Sequence, residues 1–351
     1  MYKKGIAIIL IMAMVLNLAA CTSTKQKRYE ASFLELFDTV TKIVGYAKNE
    51  EEFTKYAQMI YDNLKEYHEL YDIYNDYEGI NNIKTINDNA GIMPVKVDQK
   101  IIDLLKFSND TYNLTNGKIN IAFGSVLSVW HQYRSQGIDD PDNTKLPPME
   151  VLLENKQHTD IHNVIINEVK STVYLKDPEM SLDVGAVAKG YATEIVSRYA
   201  IEHGFTNGML SVGGNVRIIG NKFDDKQNMQ PWNVGIQNPD MESDETTIYI
   251  LNLTDYSLVT SGVYERYYTV NNKQYHHIID PDTLMPADYF TSVSIVCKNS
   301  GMADALSTSI FNMPYEDGLK LIESLKDTEA LWIFKDGSKK FSSGFEQFIK
   351  E

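Results

Sequence analysis

Two stretches of the chain repeat apolar residues at the spacing of an amphipathic helix. In the first, apolar side chains recur every three or four positions from Phe53 to Tyr71. In the second they run from Ile101 to Phe107, with Asp98 ahead of them as a candidate N-cap. Side chains three or four positions apart lie on one face of a helix. The pattern therefore predicts two helices whose apolar faces form part of the core.

Short apolar or alternating runs predict strands along much of the remaining chain. These runs cover residues 37–44, 164–166, 173–175, 209–212, 216–219, 232–236, 246–251, 267–270, 275–279, 292–296 and 330–334. Two more helices are predicted, one at 186–203 that is closed by Gly204 and one at 303–311. The polar stretches 137–148 and 238–245 are predicted to be loops or surface insertions. Together these elements predict one continuous α+β unit.

Composition narrows the classes of ligand. The chain has 351 residues, of which 43% are hydrophobic, so it can bury a substantial core. Its formal net charge of −15 argues against general attraction to nucleic acid or to anionic lipid head groups. Any anionic ligand must therefore be held locally, by backbone amides, a few cations or a metal ion.

The N-terminal segment has the pattern of an export signal. Lys3 and Lys4 precede an apolar run over 6–18, and the sequence LAAC ends at Cys21, which resembles a bacterial lipobox. By that resemblance, residues 1–20 are a signal peptide, lipidated Cys21 begins a tether over 21–32, and 33–351 form a single domain. The protein is then predicted to be lipid-anchored on the extracytoplasmic face of the cell membrane. An ordinary secretory signal or a transmembrane anchor is the alternative.

Residues 181–196, SLDVGAVAKGYATEIV, place a charge pair beside small side chains where a helix begins. The start of a helix presents unpaired N–H groups and a partial positive charge. Small residues between Asp183 and Lys189 allow a ligand to approach this backbone closely, which suits a phosphate. The other interpretation is that Asp183 is the N-cap of a helix with a small packing face.

Further stretches carry polar groups near strand ends and on a helix. They are SVGGNVRIIG at 211–220, TSGVYERYY at 260–268, YHHIIDP at 275–281 and MADALSTSIF at 302–311. In the last of them, Asp304 and Thr308 are one helical turn apart, so their oxygens share a face. Oxygen ligands of this kind suit Mg²⁺.

In this order, these segments strongly resemble the ApbE family, the FAD:protein FMN transferases. The family pattern reads D-x-G-A-x-A-K-G, G-G-N-x-R, T-S-G, H-H-I-I-D-P and A-D-A-x-x-T, and the resemblance covers roughly 33–335. It implies an ApbE-like, T-fold-like α+β fold of mixed sheets with packed helices. It also implies a Mg²⁺-dependent enzyme that cleaves FAD and transfers FMN to a threonine or serine hydroxyl of an extracytoplasmic target flavoprotein, with AMP leaving.

The resemblance also assigns site residues. Asp183 and Lys189 would contact FAD, and the Ala186 carbonyl, Asp304 and Thr308 would hold Mg²⁺. The remaining predicted FAD contacts are Phe37, Tyr74, Lys118, Ile119, Asn120, His277 and Ile278. Among all these residues, Asp304, Lys189 and His277 are the predicted catalytic groups.

Two segments depart from the family pattern: one is the family's D-x-T-x-x-P, where Asn120, Ala122 and Ser125 stand, and the other is a turn. Asn120 stands where an aspartate is usual, and an amide can still form hydrogen bonds to a nucleotide, although without the charge. Leu284 stands where glycine is expected in a turn.

The residues leave several roles open. His277 and Asp280 are both candidates for the general base, and a histidine and an aspartate beside a proline turn can equally form a structural hydrogen bond. His158 and His162 have helical spacing that invites a zinc interpretation, but no third ligand is nearby. Arg217 and Arg266 either contact ligand or pair with acidic neighbours.

Two other functions remain as alternatives. One is a Mg²⁺-dependent FAD pyrophosphatase that uses the same site, with water in place of the protein hydroxyl. The other is a non-catalytic flavin-binding lipoprotein. A protein that only binds flavin has no need for a joint metal site at Ala186, Asp304 and Thr308, which favours catalysis.

Overall fold

The computed structural model describes residues 25–351. The predicted signal peptide and the lipidation site Cys21 lie outside the described residues. Within residues 25–351, no helix combines the length and the apolar character needed to cross a membrane.

The described chain alternates strands and helices. The strands are β1 Lys27–Phe33, β2 Thr41–Ala47, β3 Val95–Lys96, β4 Val164–Asn167, β5 Thr172–Leu175, β6 Gly208–Val212, β7 Asn215–Ile219, β8 Lys222–Phe223, β9 Met229–Gln230, β10 Trp232–Gln237, β11 Thr247–Leu253, β12 Ser257–Gly262, β13 Tyr267–Val270, β14 Lys273–His276, β15 Ser292–Cys297, β16 Thr328–Ile333 and β17 Lys339–Phe341. The helices are α1 Glu50–Tyr71, α2 Ile83–Asp88, α3 Gln99–Leu114, α4 Gly124–Asp139, α5 Met149–Lys156, α6 Ala188–Glu202, α7 Ser300–Phe311 and α8 Tyr315–Glu323.

One eight-stranded sheet organises the molecule, in the order β1-β2-β6-β7-β12-β15-β16-β17. The prediction of an α+β fold is confirmed. Where mixed sheets were expected, every strand pair among the described residues is antiparallel. Pairs such as β1–β2, β6–β7 and β16–β17 are consecutive in the chain and joined by short connections, and a short connection permits only antiparallel pairing.

Both faces of the large sheet are covered. Helices α1, α6, α7 and α8 pack against one face, and the β10–β11 ribbon, with Trp232 and Val234, packs against the other. Strand β15 is consequently buried at all of its positions. This double burial explains why its sequence, SVSIVC, is continuously apolar or small and does not alternate with charged residues.

Both helices predicted from periodicity are present. In α1 the buried residues are Phe53, Ala57, Ile60, Leu64, Tyr67, Leu70 and Tyr71, while Tyr56, Met59 and Tyr61 are half-buried. Asp98 is the N-cap of α3, because its side chain accepts a hydrogen bond from the Lys100 N–H. The predicted helices at 186–203 and 303–311 correspond to α6 and α7.

Several predicted boundaries are wrong, among them the strand predicted over 275–279, which ends at His276. Residues 37–40 are not part of a strand, because Phe37 and Asp38 have φ values of 56° and 51°, which extended backbone excludes. The tether predicted over 21–32 is too long, because Lys27–Phe33 pairs with β2 as an edge strand. The loop predicted over 137–148 begins later, since α4 continues to Asp139. The loop at 238–245 is confirmed as the connection from β10 to β11.

Candidate functional site

A cavity of about 480 Å³ opens where the start of α6, helix α7, the turn before β7 and the segment 37–39 meet. Every predicted FAD, metal and catalytic residue lines it. These residues are Phe37, Tyr74, Lys118, Ile119, Asn120, Asp183, Ala186, Lys189, His277, Ile278, Asp304 and Thr308. The fold therefore gathers into one site groups that are spread over more than 270 positions of the chain.

The N-cap residue of α6 provides no side-chain cap. The N-cap position is Val187, and Asp183 instead accepts a hydrogen bond of 2.9 Å from the Gly185 N–H. The interpretation of Asp183 as the helix N-cap is therefore wrong. The Lys189 ammonium lies 3.3 Å from the Gly185 carbonyl oxygen, at the same end of the helix. The Lys189 ammonium and the partial positive charge of the helix start therefore lie at this end of the cavity, beside the Asp183 carboxylate.

Asp304 connects α7 to the start of α6. Its side chain is buried, and its Oδ2 accepts a hydrogen bond of 2.8 Å from the Gly190 N–H. Burial raises the pKa of Asp304, while the Lys189 ammonium, the Gly190 N–H and the Asn215 amide oppose that rise. Since the Gly190 N–H donates to Asp304, no bond from Gly190 to the Ala186 carbonyl forms in the described structure.

Oxygen atoms surround this contact. Thr308 follows Asp304 by one turn of α7, and its hydroxyl lies 3.5 Å from that of Ser261. Ser261 also forms a hydrogen bond of 2.9 Å with Ser307. The Asp304 carboxylate, the Thr308 hydroxyl and the Ala186 carbonyl are hard oxygen donors that line the same cavity as the Lys189 ammonium.

His277 is held in one tautomer. Its Nδ1 lies 3.3 Å from the Arg266 carbonyl oxygen, which can only accept, so Nδ1 carries the proton and Nε2 has a free lone pair. Burial and the charge of Arg266 lower the pKa of His277 to about 3. The imidazole is therefore neutral at physiological pH.

The neighbouring histidine and aspartate are structural. His276 is buried and its Nε2 bonds to the Ala287 carbonyl oxygen at 2.9 Å. Asp280 accepts hydrogen bonds from the Lys118 ammonium and the Asp282 N–H, each 3.0 Å long. Asp280 therefore orders the turn after His277 and forms no hydrogen bond with it.

Lys118 and Asn120 are engaged by the protein itself. The Lys118 ammonium pairs with Asp280 and, at 2.7 Å, with Asp282. Burial lowers its pKa, but the hydrogen bonds to these two aspartates outweigh burial, so the pKa of Lys118 is raised. The Asn120 Oδ1 caps the turn at Ala122 and its Nδ2 donates to the Thr159 carbonyl at 2.8 Å. A carboxylate could not donate that second hydrogen bond. The bond to Thr159 therefore explains why position 120 carries an amide.

Aromatic residues line the rim of the cavity. The backbone of Phe37 is strained, with a φ of 56°. Its N–H donates to His68 Nδ1 at 3.2 Å, and the two rings make an edge contact. Across the mouth, the Tyr74 hydroxyl lies 3.2 Å from His131 Nδ1. Burial raises the pKa of Tyr74 to about 12, so its hydroxyl remains protonated.

Sequence reasoning missed His131 and Arg134, which line the cavity from α4. Arg134 and Arg266 are two like charges that lie close together. Burial, together with the charge of Arg266, lowers the pKa of Arg134. The signal was available in the sequence WHQYR, where His131 and Arg134 follow Trp130 within about one helical turn. Of the two arginines left open, Arg266 lines the cavity, whereas Arg217 is buried and pairs with Glu194 at 3.3 Å.

The two histidines of HTDIH do not converge. His158 Nδ1 lies 2.9 Å from Asp177, and His162 is exposed to solvent. Within residues 25–351 there is no group of three or more His, Cys, Asp and Glu side chains that could hold a metal ion. Any ion at Asp304 would therefore depend on one carboxylate and on neutral oxygens.

Comparison with known proteins agrees with this geometry. The ApbE family model matches residues 37–332. The FAD:protein FMN transferase of Treponema pallidum (strain Nichols) is 32% identical over 279 residues, which span 76% of this chain and 75% of that protein. The FAD:protein FMN transferase of Klebsiella pneumoniae (strain 342) is 27% identical over 281 residues, which span 80% and 82%.

A solved structure shows the same fold. The crystal structure of the ApbE protein from Thermotoga maritima superposes with a TM-score of 0.80 at 28% sequence identity, and the match covers 93% of this chain and 100% of that chain. The family model spans most of the described residues, and the motifs that it matches line one cavity. This chain therefore belongs to the ApbE family.

Proposed function

We propose that this protein transfers FMN from FAD to a threonine or serine hydroxyl of a target flavoprotein, with release of AMP. The observation that carries the proposal is the convergence of Asp304, Lys189 and the start of α6 in one cavity. Cleavage of a pyrophosphate requires its negative charge to be balanced where the bond breaks, and these groups supply the means.

The residues around Asp304 fit Mg²⁺. The Asp304 carboxylate, the Thr308 hydroxyl and the Ala186 carbonyl are the oxygen types that this ion prefers. The Ala186 carbonyl accepts no helical hydrogen bond from the Gly190 N–H, because that N–H donates to Asp304. When bound, the ion would neutralise charge on the phosphate oxygens. Because the protein would supply only one carboxylate, phosphate oxygens and water could occupy the other positions around a bound Mg²⁺.

Other residues bind and orient the substrates. The Lys189 ammonium places a positive charge beside the α6 amides, where the pyrophosphate would bind. Neutral His277 presents the Nε2 lone pair to the cavity and accepts a hydrogen bond from the attacking hydroxyl. A pKa of about 3 makes His277 a weak base, and phosphoryl transfer through a loose transition state places little demand on base strength.

In the proposed step, the acceptor oxygen attacks the phosphorus of the FMN half of FAD. A new oxygen–phosphorus bond forms while the bond from that phosphorus to the bridging oxygen breaks. AMP leaves with the bonding electron pair, and the hydroxyl proton is lost to solvent through the site. The product is a phosphoester between FMN and the target protein.

The test is incubation of the purified protein with FAD, Mg²⁺ and a candidate extracytoplasmic flavoprotein, followed by mass spectrometry of that flavoprotein. Covalent FMN on a threonine or serine, with one AMP released for each FMN attached, is the expected result. Free FMN and AMP without adduct would support the pyrophosphatase alternative. Intact FAD after prolonged incubation would support the flavin-binding alternative.

We also propose that the protein is anchored to the outer face of the cell membrane through a lipid on Cys21. The support is the sequence alone, in which the apolar run 6–18 leads into LAAC at Cys21. In that position the enzyme would meet extracytoplasmic targets.

A further inference from the structure

The turn 36–39 has a strained conformation at the cavity wall. The Thr39 N–H donates to the Leu36 carbonyl oxygen at 3.2 Å, and the two central residues, Phe37 and Asp38, both have positive φ values. A turn of this kind favours glycine, asparagine or aspartate at its central positions, so an aromatic residue at the first of them is unfavourable. Such a conformation persists only where surrounding contacts hold it, and it is frequent at ligand sites. Phe37, Asp38 and Thr39 all line the cavity.

His68, near the end of α1, holds this turn from one side. Its Nδ1 accepts a hydrogen bond of 3.2 Å from the Phe37 N–H, and the centroids of the two rings are 5.5 Å apart. Because an N–H only donates, Nδ1 carries no proton, and the proton of the neutral imidazole is on Nε2. His68 is half-buried and lines the cavity, as Phe37 does. The position of Phe37 therefore depends on an acceptor at residue 68.

The opposite side of the turn rests on the connection between β6 and β7. The Gly213 N–H donates to the Val40 carbonyl oxygen at 3.1 Å, and a Cβ at residue 213 would lie 2.8 Å from the Thr39 side chain. These contacts hold the second half of the turn, whereas the hydrogen bond to His68 holds the first half.

A chain of hydrogen bonds fixes the His68 ring and continues to Tyr74. The Nε2 of His68 lies 3.3 Å from the Tyr77 hydroxyl, which donates to Asp72 Oδ2 at 2.7 Å. The other carboxylate oxygen of Asp72 accepts a hydrogen bond of 2.6 Å from the Tyr74 N–H. Phe37 and Tyr74 both line the cavity. His68 is thus joined through Tyr77 and Asp72 to a second aromatic residue of the cavity rim.

We propose that His68 is a positioning residue for ligand binding, because its Nδ1 holds Phe37 where a planar ring of FAD packs. This inference rests on the proposed function, since it takes FAD as the ligand. FAD carries two planar ring systems, flavin and adenine, and aromatic side chains stabilise either of them by stacking or edge contacts. The proposed phosphate site at the start of α6 leaves the aromatic rim for one of these rings. His68 acts through Phe37 and takes no part in the chemical step.

The test measures binding without turnover. Binding of FAD, FMN and ADP to the purified full chain is measured separately in the absence of Mg²⁺, by flavin fluorescence for the first two and by calorimetry for ADP. His68→Phe keeps an aromatic ring but cannot accept from the Phe37 N–H, and we expect it to weaken FAD binding by about threefold to tenfold. His68→Asn keeps an acceptor near the position of Nδ1 and should restore most of the affinity. The matched control is His162→Phe, at an exposed histidine outside the cavity, which should bind FAD as wild type does.

Rescue by His68→Asn separates positioning from a packing role, because only this one of the two variants supplies a hydrogen-bond acceptor. Weaker binding of FMN by His68→Phe, with ADP unchanged, supports the inference and assigns the flavin ring to Phe37. Weaker binding of ADP alone supports it and assigns the adenine ring. Equal affinities for FAD in wild type and folded His68→Phe, or an equal loss in His68→Phe and His68→Asn, would overturn it.

The outcomes also distinguish this inference from the proposed function. If wild type binds FAD but transfers no FMN, and His68→Phe binds FAD less tightly, the proposed function fails and the role of His68 stands. If wild type does not bind FAD, both fail. Should His68→Phe not fold, Tyr77→Phe removes only the hydroxyl that orients the His68 ring. This variant should also weaken FAD binding, and wild-type affinity would overturn the inference.

Discussion

The Gly190 N–H donates to Asp304 Oδ2 across 2.8 Å, although the two residues are 114 positions apart. A Cβ at residue 190 would lie 2.4 Å from the Asp304 Cβ and 2.5 Å from the Ser300 carbonyl oxygen. The family pattern A-K-G thus ends in glycine because α6 and α7 touch there. The same contact holds the predicted metal ligand.

The first prediction follows from this contact. Gly190→Ala should lower the free energy of unfolding by about 1–3 kcal/mol, because the added methyl forces α6 and α7 apart. It should also reduce FAD cleavage, since Asp304 loses its alignment. Chemical denaturation and a FAD turnover assay measure the two effects. The control is Gly318→Ala in α8, where the nearest atom would lie at 3.3 Å. Equal effects from both substitutions would contradict this account.

The second prediction concerns the proposed metal ligands. Asp304→Asn keeps an acceptor for the Gly190 N–H but removes the charge, so cleavage of FAD and transfer of FMN should both fall on the order of a hundredfold or more. Thr308→Ala should lose on the order of tenfold, because water can partly replace a neutral oxygen. Thr308→Ser keeps the hydroxyl and should remain active.

Asp304 is buried and accepts a hydrogen bond from α6, so its substitution can also affect folding. Circular dichroism must therefore accompany these assays. A folded Asp304→Asn enzyme with the wild-type rate and the wild-type magnesium requirement would remove Asp304 from the site.

The third prediction concerns Lys189. Lys189→Ala removes the cation at the start of α6 and should lower kcat/KM for FAD by on the order of a hundredfold. Steady-state kinetics at limiting FAD measure it, with Lys55→Ala as the control, since Lys55 is exposed and pairs only with Glu51 on α1. Unchanged kinetics would leave the start of α6 with a packing role alone.

The fourth prediction is a pH dependence of stability. The pKa of His277 is about 3 in the folded protein, against an ordinary value of 6.5. Between these values the unfolded chain binds more protons, so the free energy of unfolding should decrease as the pH falls through this window. His277→Gln should remove part of that decrease. Urea denaturation at several pH values in the window compares the variant with wild type, and exposed His162→Gln serves as control. Identical slopes for wild type and His277→Gln would show that His277 is not kept neutral by the fold.

The fifth prediction concerns the anchor. Cys21→Ala should abolish lipidation while FAD turnover by the purified protein is retained, because Cys21 precedes the matched family region. Intact-mass spectrometry of membrane fractions detects the lipid. Cys297→Ala, which alters the buried cysteine of β15, should leave the lipid in place. Wild-type protein without lipid would disprove the anchor.

Local physics made much of the fold predictable. The 3.6-residue repeat located α1, and a capping aspartate located the start of α3. The predicted site residues were found from motifs, each of which is a short local pattern. All of these residues line the cavity. Periodicity also located β6, β7, β10, β15 and β16. The apolar runs of β15 and β16 reflect burial on both sides of the sheet, whereas β10 alternates buried and exposed positions.

Other features depend on contacts between distant residues, which no local pattern encodes. The turn at Phe37 and Asp38 is held by His68, and the amide of Asn120 is required by the Thr159 carbonyl. Lys118, expected to contact ligand, is drawn to Asp280 and Asp282 by charge. The sequence by itself determined the residues of the short motifs that line the cavity, but not His131 and Arg134, which lie outside those motifs. Only the tertiary structure decided which of them stay free for a ligand and which the protein binds itself, because hydrogen bonds and ion pairs form between whichever groups the packing brings within reach.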